Sequence, residues 1–353
     1  MTSVADHPHL TSRRLLAGGR PLPRTEQVRV GPPGRGELRV RAAYSLVSPG
    51  TELHYLDRFA GTGQDFPLGY CSAGVVDAVG PGATGFAVGD RVIAMSWGEA
   101  VHGDVVTVPY RLCRRVPGGM DLADAVVANL AATAVHAVDR AVLRPGDEAA
   151  VVGAGMVGLL VGQIVAARGH RVTVLDLRPE RVRTAEALGL GALTGTREFF
   201  ADETTPPPPD GRCVFLCGTG EASDTVAAAS RWAGRAPGRS RLIGVGRFSA
   251  HVEFSVELGN LDIRYAARCG AGYRDPDYAR GLTDVTPPEG EGTVTQNLQR
   301  ALDLIGEGAV RPDRMGLSRL PLERAQEAYA ELRERPAHPA VVFAYGHQEE
   351  TRS

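Results

Sequence analysis

Ala149-Ala150-Val151-Val152-Gly153-Ala154-Gly155-Met156-Val157-Gly158 opens residues 149–176, where an apolar run breaks at a glycine cluster, a helix-like segment follows and a second apolar run ends in Asp176. Residues 149–152 read as a strand. Gly153 gives the tight turn after it, Gly155 lets backbone approach a pyrophosphate, and Gly158 lets the new helix pack closely on a sheet. A helix starting at Met156 and Val157 offers phosphates its unpaired N–H groups and the positive end of its dipole. Residues 159–167 continue the helix and 171–175 read as the next strand, so the glycines stand in the strand-turn-helix-strand context that a bare motif lacks. Asp176 follows Gly158 by eighteen residues, where a carboxylate accepts hydrogen bonds from both adenosine ribose hydroxyls and repels a 2′-phosphate. That spacing predicts NAD rather than NADP, with Arg178 as the nearby cation able to hold a phosphate instead. Cys217 and Gly218, at the end of strand-like residues 213–217, complete the expected cofactor-binding set of Gly153, Gly155, Met156, Val157, Gly158, Asp176 and Arg178.

The same stretch has a competing interpretation, because residues 149–167 run nineteen positions without a charge, long enough to span a bilayer. The glycines at fingerprint spacing and the strand and helix signals on both flanks argue against it. Residues 1–20 carry Asp6 and several arginines in place of a signal-peptide core, which predicts a soluble, cytoplasmic protein with no membrane partner. With 353 residues and 43% hydrophobic content the chain can build two packed domains. A net charge of −2 lacks the basic excess that nucleic-acid binding requires. All 39 basic residues are arginine, and the absence of lysine excludes Schiff-base catalysis and any Tyr/Lys catalytic pair.

Ahead of the glycine cluster, short β segments at 27–30, 37–45, 74–79, 91–94 and 105–108 alternate with Gly and Pro turns, as in an all-β domain. Residues 122–142 carry an alanine-rich helical pattern that leads through Pro145-Gly146-Asp147 into the fingerprint strand. Residues 241–245 read as a further strand, and the four-proline run 206–209 as a surface loop. Residues 295–305 and 321–332 look helical, and 340–344 like a last strand.

This order of parts, with Gly69, Gly74, Val79-Gly80 and Gly85-Phe86-Ala87-Val88-Gly89-Asp90-Arg91-Val92 ahead of the dinucleotide unit, resembles the medium-chain dehydrogenase/reductase superfamily over essentially the whole chain. The resemblance implies an α/β protein: a GroES-like β-rich catalytic domain built from both chain ends, a doubly wound parallel Rossmann sheet between them, and an active site in the cleft. It places the catalytic domain at 1–122, the Rossmann domain at 123–290 and a return segment at 291–353, and implies a homodimer or homotetramer. Ser45-Leu46-Val47-Ser48-Pro49-Gly50-Thr51-Glu52, Pro67-Leu68-Gly69-Tyr70-Cys71-Ser72-Ala73-Gly74 and residues 270–278 are similar to the branch with bacteriochlorophyllide hydroxyethyl dehydrogenases and the dehydrogenase half of some two-domain sugar oxidoreductases.

Zinc enzymes of that superfamily hold their catalytic metal with a front-domain Cys, the His of a Gly-His-Glu motif, and a Cys or Glu ahead of the Rossmann domain. Here those positions fall at Ser48 or Pro49, at Gly69-Tyr70-Cys71, and at Asn129. A hydroxyl, a phenol and an amide make a poor zinc shell, so no metal is expected. The lobe for structural zinc is also missing, since residues 97–116 hold only Cys113.

Without zinc, a ketone or alkoxide is stabilised by hydrogen bonds and the proton leaves through a side chain. The resemblance puts Thr51 and His54 at the family's proton relay, and Tyr70 takes the place of the ligand histidine. Tyr70, His54 and Thr51 are therefore the expected catalytic residues, with Glu52 in support and His136 structural. The expectation is a zinc-independent, NAD-dependent oxidoreductase of biosynthetic type, moving hydride between nicotinamide and a secondary alcohol or ketone of a sugar, cyclitol or specialised metabolite. Its alternatives are an enzyme that retains NAD for transient oxidation during epimerisation, elimination or cyclisation, a double-bond reductase, and a non-catalytic nucleotide-binding protein.

Overall fold

A computed structural model describes residues 8–202, 210–334 and 336–346, and every count below refers to those residues. The proline run 206–209 lies outside them. The chain divides into two compact units, one made of residues 1–129, 272–286 and 317–353, the other of 130–271 and 287–316. The sequence division at 122 and 290 differs in two respects that matter. The Val294–Gly306 helix belongs to the second unit, and residues 272–286 return to the first.

The first unit is β-rich. Its seven-stranded sheet runs Ser318–Pro321, Val341–Ala344, Glu37–Leu46, Cys71–Val79, Arg91–Met95 and Cys113–Arg115, with Val105–Pro109 paired to Glu37–Leu46. A smaller sheet joins Arg20–Val30, Leu10–Gly18 and Phe66–Pro67. The Leu10–Gly18 strand is absent from the sequence reading, since Arg13-Arg14 interrupts its apolar alternation. Both chain ends build the larger sheet, because Phe343 pairs with Ser45 and Val342 with Leu46. Leu15, Leu56, Leu68, Tyr329 and Phe343 form a continuous buried core between sheet and helices, and burial of such side chains is worth roughly 1.5–3 kcal/mol each.

The Pro49–Phe59 helix was not legible as one. Only Glu52 and Leu56 are buried along it, too sparse a pattern to register as a helical stripe. Its start is nonetheless chemically favoured. Pro49 occupies the first turn, where its missing N–H costs nothing, and Glu52 places negative charge near the helix N-terminus.

The second unit is a six-stranded parallel sheet in the order Gly191–Thr194, Arg171–Asp176, Glu148–Val152, Gly211–Leu216, Arg239–Gly244 and Leu261–Tyr265. Numbered along the chain this is 3-2-1-4-5-6, the doubly wound order whose direction reverses between Glu148–Val152 and Gly211–Leu216. The long apolar run is thus a strand, a glycine turn and the twelve-residue Met156–Ala167 helix, most of whose side chains are buried. A different segment, Leu122–Ala141, is long and apolar enough to cross a membrane, and 83% of its most apolar window is buried inside the protein.

One buried ion pair anchors this sheet. Arg241, with no solvent exposure, pairs with Asp147, and its guanidinium donates to the carbonyls of Ala141 (3.0 Å) and Val142 (2.6 Å), which close the Ala128–Ala141 helix. Removing one partner of such a pair leaves an uncompensated buried charge and typically costs about 3–5 kcal/mol. Arg241→Ala is expected to lose stability in that range in urea unfolding; a loss below about 1 kcal/mol would show that water replaces the guanidinium at no cost.

Candidate active site

In the first unit the structure brings together residues that the chain separates by about twenty positions. The Tyr70 phenol lies close to the side chains of Ser48 and Thr51, whose hydroxyls favour its ionised form. Ser48 is the N-cap of the Pro49–Phe59 helix and Thr51 lies in its first turn, while Tyr70 immediately precedes the Cys71–Val79 strand. Gly69 makes this approach possible: at φ +92° a side chain there would come within 2.5 Å of the His102 backbone nitrogen. Burial first, then the proximity of Cys71 and Glu52, raises the Tyr70 pKa far above that of an ordinary phenol. Tyr70 therefore stays protonated at neutral pH and acts as a hydrogen-bond donor, not as a base. His54 follows Thr51 by one helical turn, half-buried, with its ring edge-on to Tyr55 at 5.4 Å.

A buried network holds this helix in place. Glu52 accepts hydrogen bonds from the Ser48 N–H (2.7 Å), from the Tyr329 hydroxyl, and from His102 Nε2 (2.8 Å). Because the carboxylate can only accept, Nε2 carries the proton, and Nδ1 then accepts from the Ser45 hydroxyl (2.7 Å), which in turn accepts from Tyr345 (2.7 Å). Ser45, His102 and Glu52 have the composition of a hydrolytic triad, but Ser45 and His102 are fully buried, so the array orients the helix and offers no nucleophile to a substrate. His102 escaped the sequence reading because no local pattern marks it.

The positions that correspond to zinc ligands do not suit the metal. Ser48 and Tyr70 offer a hydroxyl and a phenol, and Asn129 Nδ2 donates to the carbonyls of Ser72 (3.2 Å) and Val126 (3.1 Å). Among the described residues no three His, Cys, Asp or Glu side chains cluster as a metal site. Burial pushes the thiols of Cys113, Cys213 and Cys217 up to about 12, which makes them inert.

The second unit provides a dinucleotide cradle at the C-terminal ends of its two central strands. Gly153 has φ +99°, and a side chain on it would press within 3.4 Å of Cys217 and Gly218. A Cβ on Gly158 would overlap the Gly153 carbonyl at 1.8 Å, while one on Gly155 would meet open space. Gly155 begins the Met156–Ala167 helix without a side-chain cap, leaving the first N–H groups for a phosphate. Asp176, 7% exposed, accepts from the Ala154 N–H (2.7 Å) and the Arg178 N–H (3.0 Å), with the Arg181 guanidinium 3.6 Å away. Gly153, Gly155, Met156, Val157, Gly158, Asp176, Arg178, Cys217 and Gly218 thus gather at one end of the sheet, and they fit a dinucleotide. Arg181 is the addition that sequence reasoning missed.

Residues 34–140 match the family described as the alcohol dehydrogenase GroES-like domain. Among curated proteins, a probable D-xylulose reductase A of Arthroderma otae is 28% identical over 51% of this chain and 58% of its own length. A phthioceranic/hydroxyphthioceranic acid synthase of Mycobacterium tuberculosis is 31% identical over 66% of this chain, but that alignment takes in only 10% of the synthase. The chain spans little more than half the length of the xylulose, sorbitol and galactonate dehydrogenases it matches. In three dimensions it is similar to an alcohol dehydrogenase from E. coli CFT073 solved with NADH, with a TM-score of 0.73 and 18% identity over 95% of this chain and 99% of that one. Residues 34–140 thus belong to the alcohol dehydrogenase GroES-like family, and over 95% of the chain the fold is that of the alcohol dehydrogenase it resembles.

Proposed function

We propose that this chain is an NAD-dependent oxidoreductase that works without zinc, interconverting a secondary alcohol and a ketone on a polar small molecule. What supports the proposal is the proximity of Tyr70, Ser48 and Thr51, a group of hydroxyls that includes two of the positions matching zinc ligands in the resemblance. Bound NAD supplies hydride exchange at its nicotinamide ring. Tyr70, kept protonated, donates a hydrogen bond to the substrate oxygen and stabilises charge developing there. In the oxidative direction the hydroxyl proton passes to Thr51, whose own proton moves to the His54 imidazole; reduction runs the same steps backwards. Glu52 fixes the helix that carries both relay residues.

A second reading, reduction of an activated carbon–carbon double bond, draws support from the relative of higher identity being an acid synthase rather than a polyol dehydrogenase. Assaying NADH oxidation with a ketose panel and an enone panel separates the two. For the leading reading, ketoses are reduced and pre-incubation with 1,10-phenanthroline leaves the rate unchanged. Tyr70→Phe should then lower kcat about a hundredfold, as expected for loss of one donor to a developing oxyanion. Inhibition by the chelator would defeat the metal-free mechanism.

Asp176 supports NAD over NADP, because its carboxylate ends the second strand of the dinucleotide unit beside the glycine turn, where it would repel a 2′-phosphate. Comparing kcat/KM for NADH and NADPH should favour NADH, with the preference shrinking at least tenfold in Asp176→Ala. A wild-type preference for NADPH would assign the site to Arg178 and Arg181 instead.

We further infer that the chain pairs with a second copy through Leu261–Tyr265, the outermost strand of the parallel sheet. Ile263 and Tyr265 are 45% and 56% exposed there, a combination that free edges normally avoid. The strand is self-complementary. Antiparallel pairing about Ile263 sets Asp262 of one copy opposite Arg264 of the other and Leu261 opposite Tyr265. Sedimentation should give twice the 37.3 kDa chain mass, and Ile263→Lys should shift it to the monomer; an unchanged species would move the interface elsewhere.

A further inference from the structure

The segment 270–278 was singled out in the sequence, yet neither the hydride chemistry nor the cofactor cradle uses it. The structure gives it a purpose within the first unit, to which residues 272–286 return. Gly272, at φ +83°, lies against the Tyr278 ring so closely that a Cβ would come within 2.3 Å of it. Asp275 caps the next turn, accepting from the N–H groups of Asp277 and Tyr278 at 3.0 Å each. Tyr278 is buried beneath the Arg111 guanidinium, 4.8 Å from its ring centre, and Arg280 bridges Glu37 (2.7 Å) and Glu99 (3.0 Å). This loop is tightly held.

What it presents is Arg274, exposed, with its guanidinium 5.4 Å from the centre of the Trp97 ring. Trp97 in turn meets the Tyr70 ring at 5.4 Å and stands on an aromatic stack of Tyr55, Phe59 and Phe66. Two carboxylates adjoining the pair in sequence are committed elsewhere: Asp275 to the backbone, and Glu99 to Arg280 and the Ser96 hydroxyl. Arg274 has no ion-pair partner among the described residues. A guanidinium laid flat on a ring keeps its outward N–H groups in the fork geometry that suits carboxylate or phosphate.

From this juxtaposition we propose that Arg274 and Trp97 select an anionic substrate: a carbonyl or alcohol compound with a flat face to lie along Trp97 and a carboxylate or phosphate group to meet Arg274. The proposal rests on the assignment of Tyr70 as donor to the reacting oxygen, since Trp97 joins the two ends of such a substrate. Arg274 is thus a specificity-determining residue. It fixes the far end of the molecule while Tyr70 holds the near end, and the two contacts together orient the carbon that exchanges hydride.

Calorimetric titration in the presence of NAD⁺, which blocks turnover of a ketone, tests recognition apart from catalysis. The probes are 4-acetylbenzoate, 4-acetylphenyl phosphate and the neutral acetophenone, titrated into the full chain and into Arg274→Gln and Arg274→Lys. The expected result is about tenfold tighter binding of at least one anionic probe than of acetophenone, a preference lost in Arg274→Gln and partly kept in Arg274→Lys, as for a charge-assisted hydrogen bond. The tighter of the two anions identifies the substrate group. Equal affinity for charged and neutral probes, or a preference that survives Arg274→Gln, overturns the proposal. An NADH assay with the same ketones separates the two levels of the argument: Arg274-dependent binding without turnover retains the anion site and rejects the dehydrogenase reading.

Discussion

The Glu52 carboxylate is buried where water cannot reach it, and the first unit is arranged around satisfying it. A carboxylate in such surroundings persists only when each oxygen has donors. One oxygen takes the N–H of Ser48; the other takes His102 and Tyr329. These partners come from a helix start, a loop and the C-terminal Ala325–Glu334 helix, so a single charge joins the front of the chain to its return segment. The chain continues from His102 through Ser45 to Tyr345, which ties in the central and terminal strands of the sheet.

The position of the hydroxyl cluster follows from that constraint. Once the Ser48 N–H is bound to Glu52, the first turn of the Pro49–Phe59 helix is fixed, and Ser48 and Thr51 meet the Tyr70 phenol. Gly69 allows Tyr70 to approach by leaving room for the His102 backbone. Orientation of Ser48, Thr51 and Tyr70 is thereby coupled to fold stability, and a fixed, protonated phenol is the kind of preorganised donor that the proposed function requires.

The second unit obeys a different constraint. Its central parallel strands, Glu148–Val152, Gly211–Leu216 and Arg239–Gly244, are largely buried, so their polar groups must be satisfied by the sheet ladder, and ligand chemistry is confined to the strand ends. Gly153 and Gly158 are where the backbone packs too closely for a side chain to intervene, which leaves the start of the Met156–Ala167 helix open to phosphate.

The dinucleotide unit was legible because its requirements are local: glycines at fixed spacing, a strand before and a helix after, and a carboxylate at the end of the next strand. The absence of lysine and the replacement of each zinc-ligand position were equally plain. Tyr70, Thr51 and Ser48 could be named from their positions, but not their proximity, which depends on how a helix start packs against a strand entry. His102 and Trp97 gave no local signal, and Arg274 only a place within the 270–278 motif. Trp97 and Arg274 are separated by most of the second unit in sequence, and only a chain that leaves the first unit and re-enters it can stack one on the other. Sequence thus determined what is periodic or contiguous, the parallel sheet and its glycine turn. Tertiary structure decided which polar groups meet, because hydrogen bonds and ring contacts depend on distance in space and not on separation along the chain.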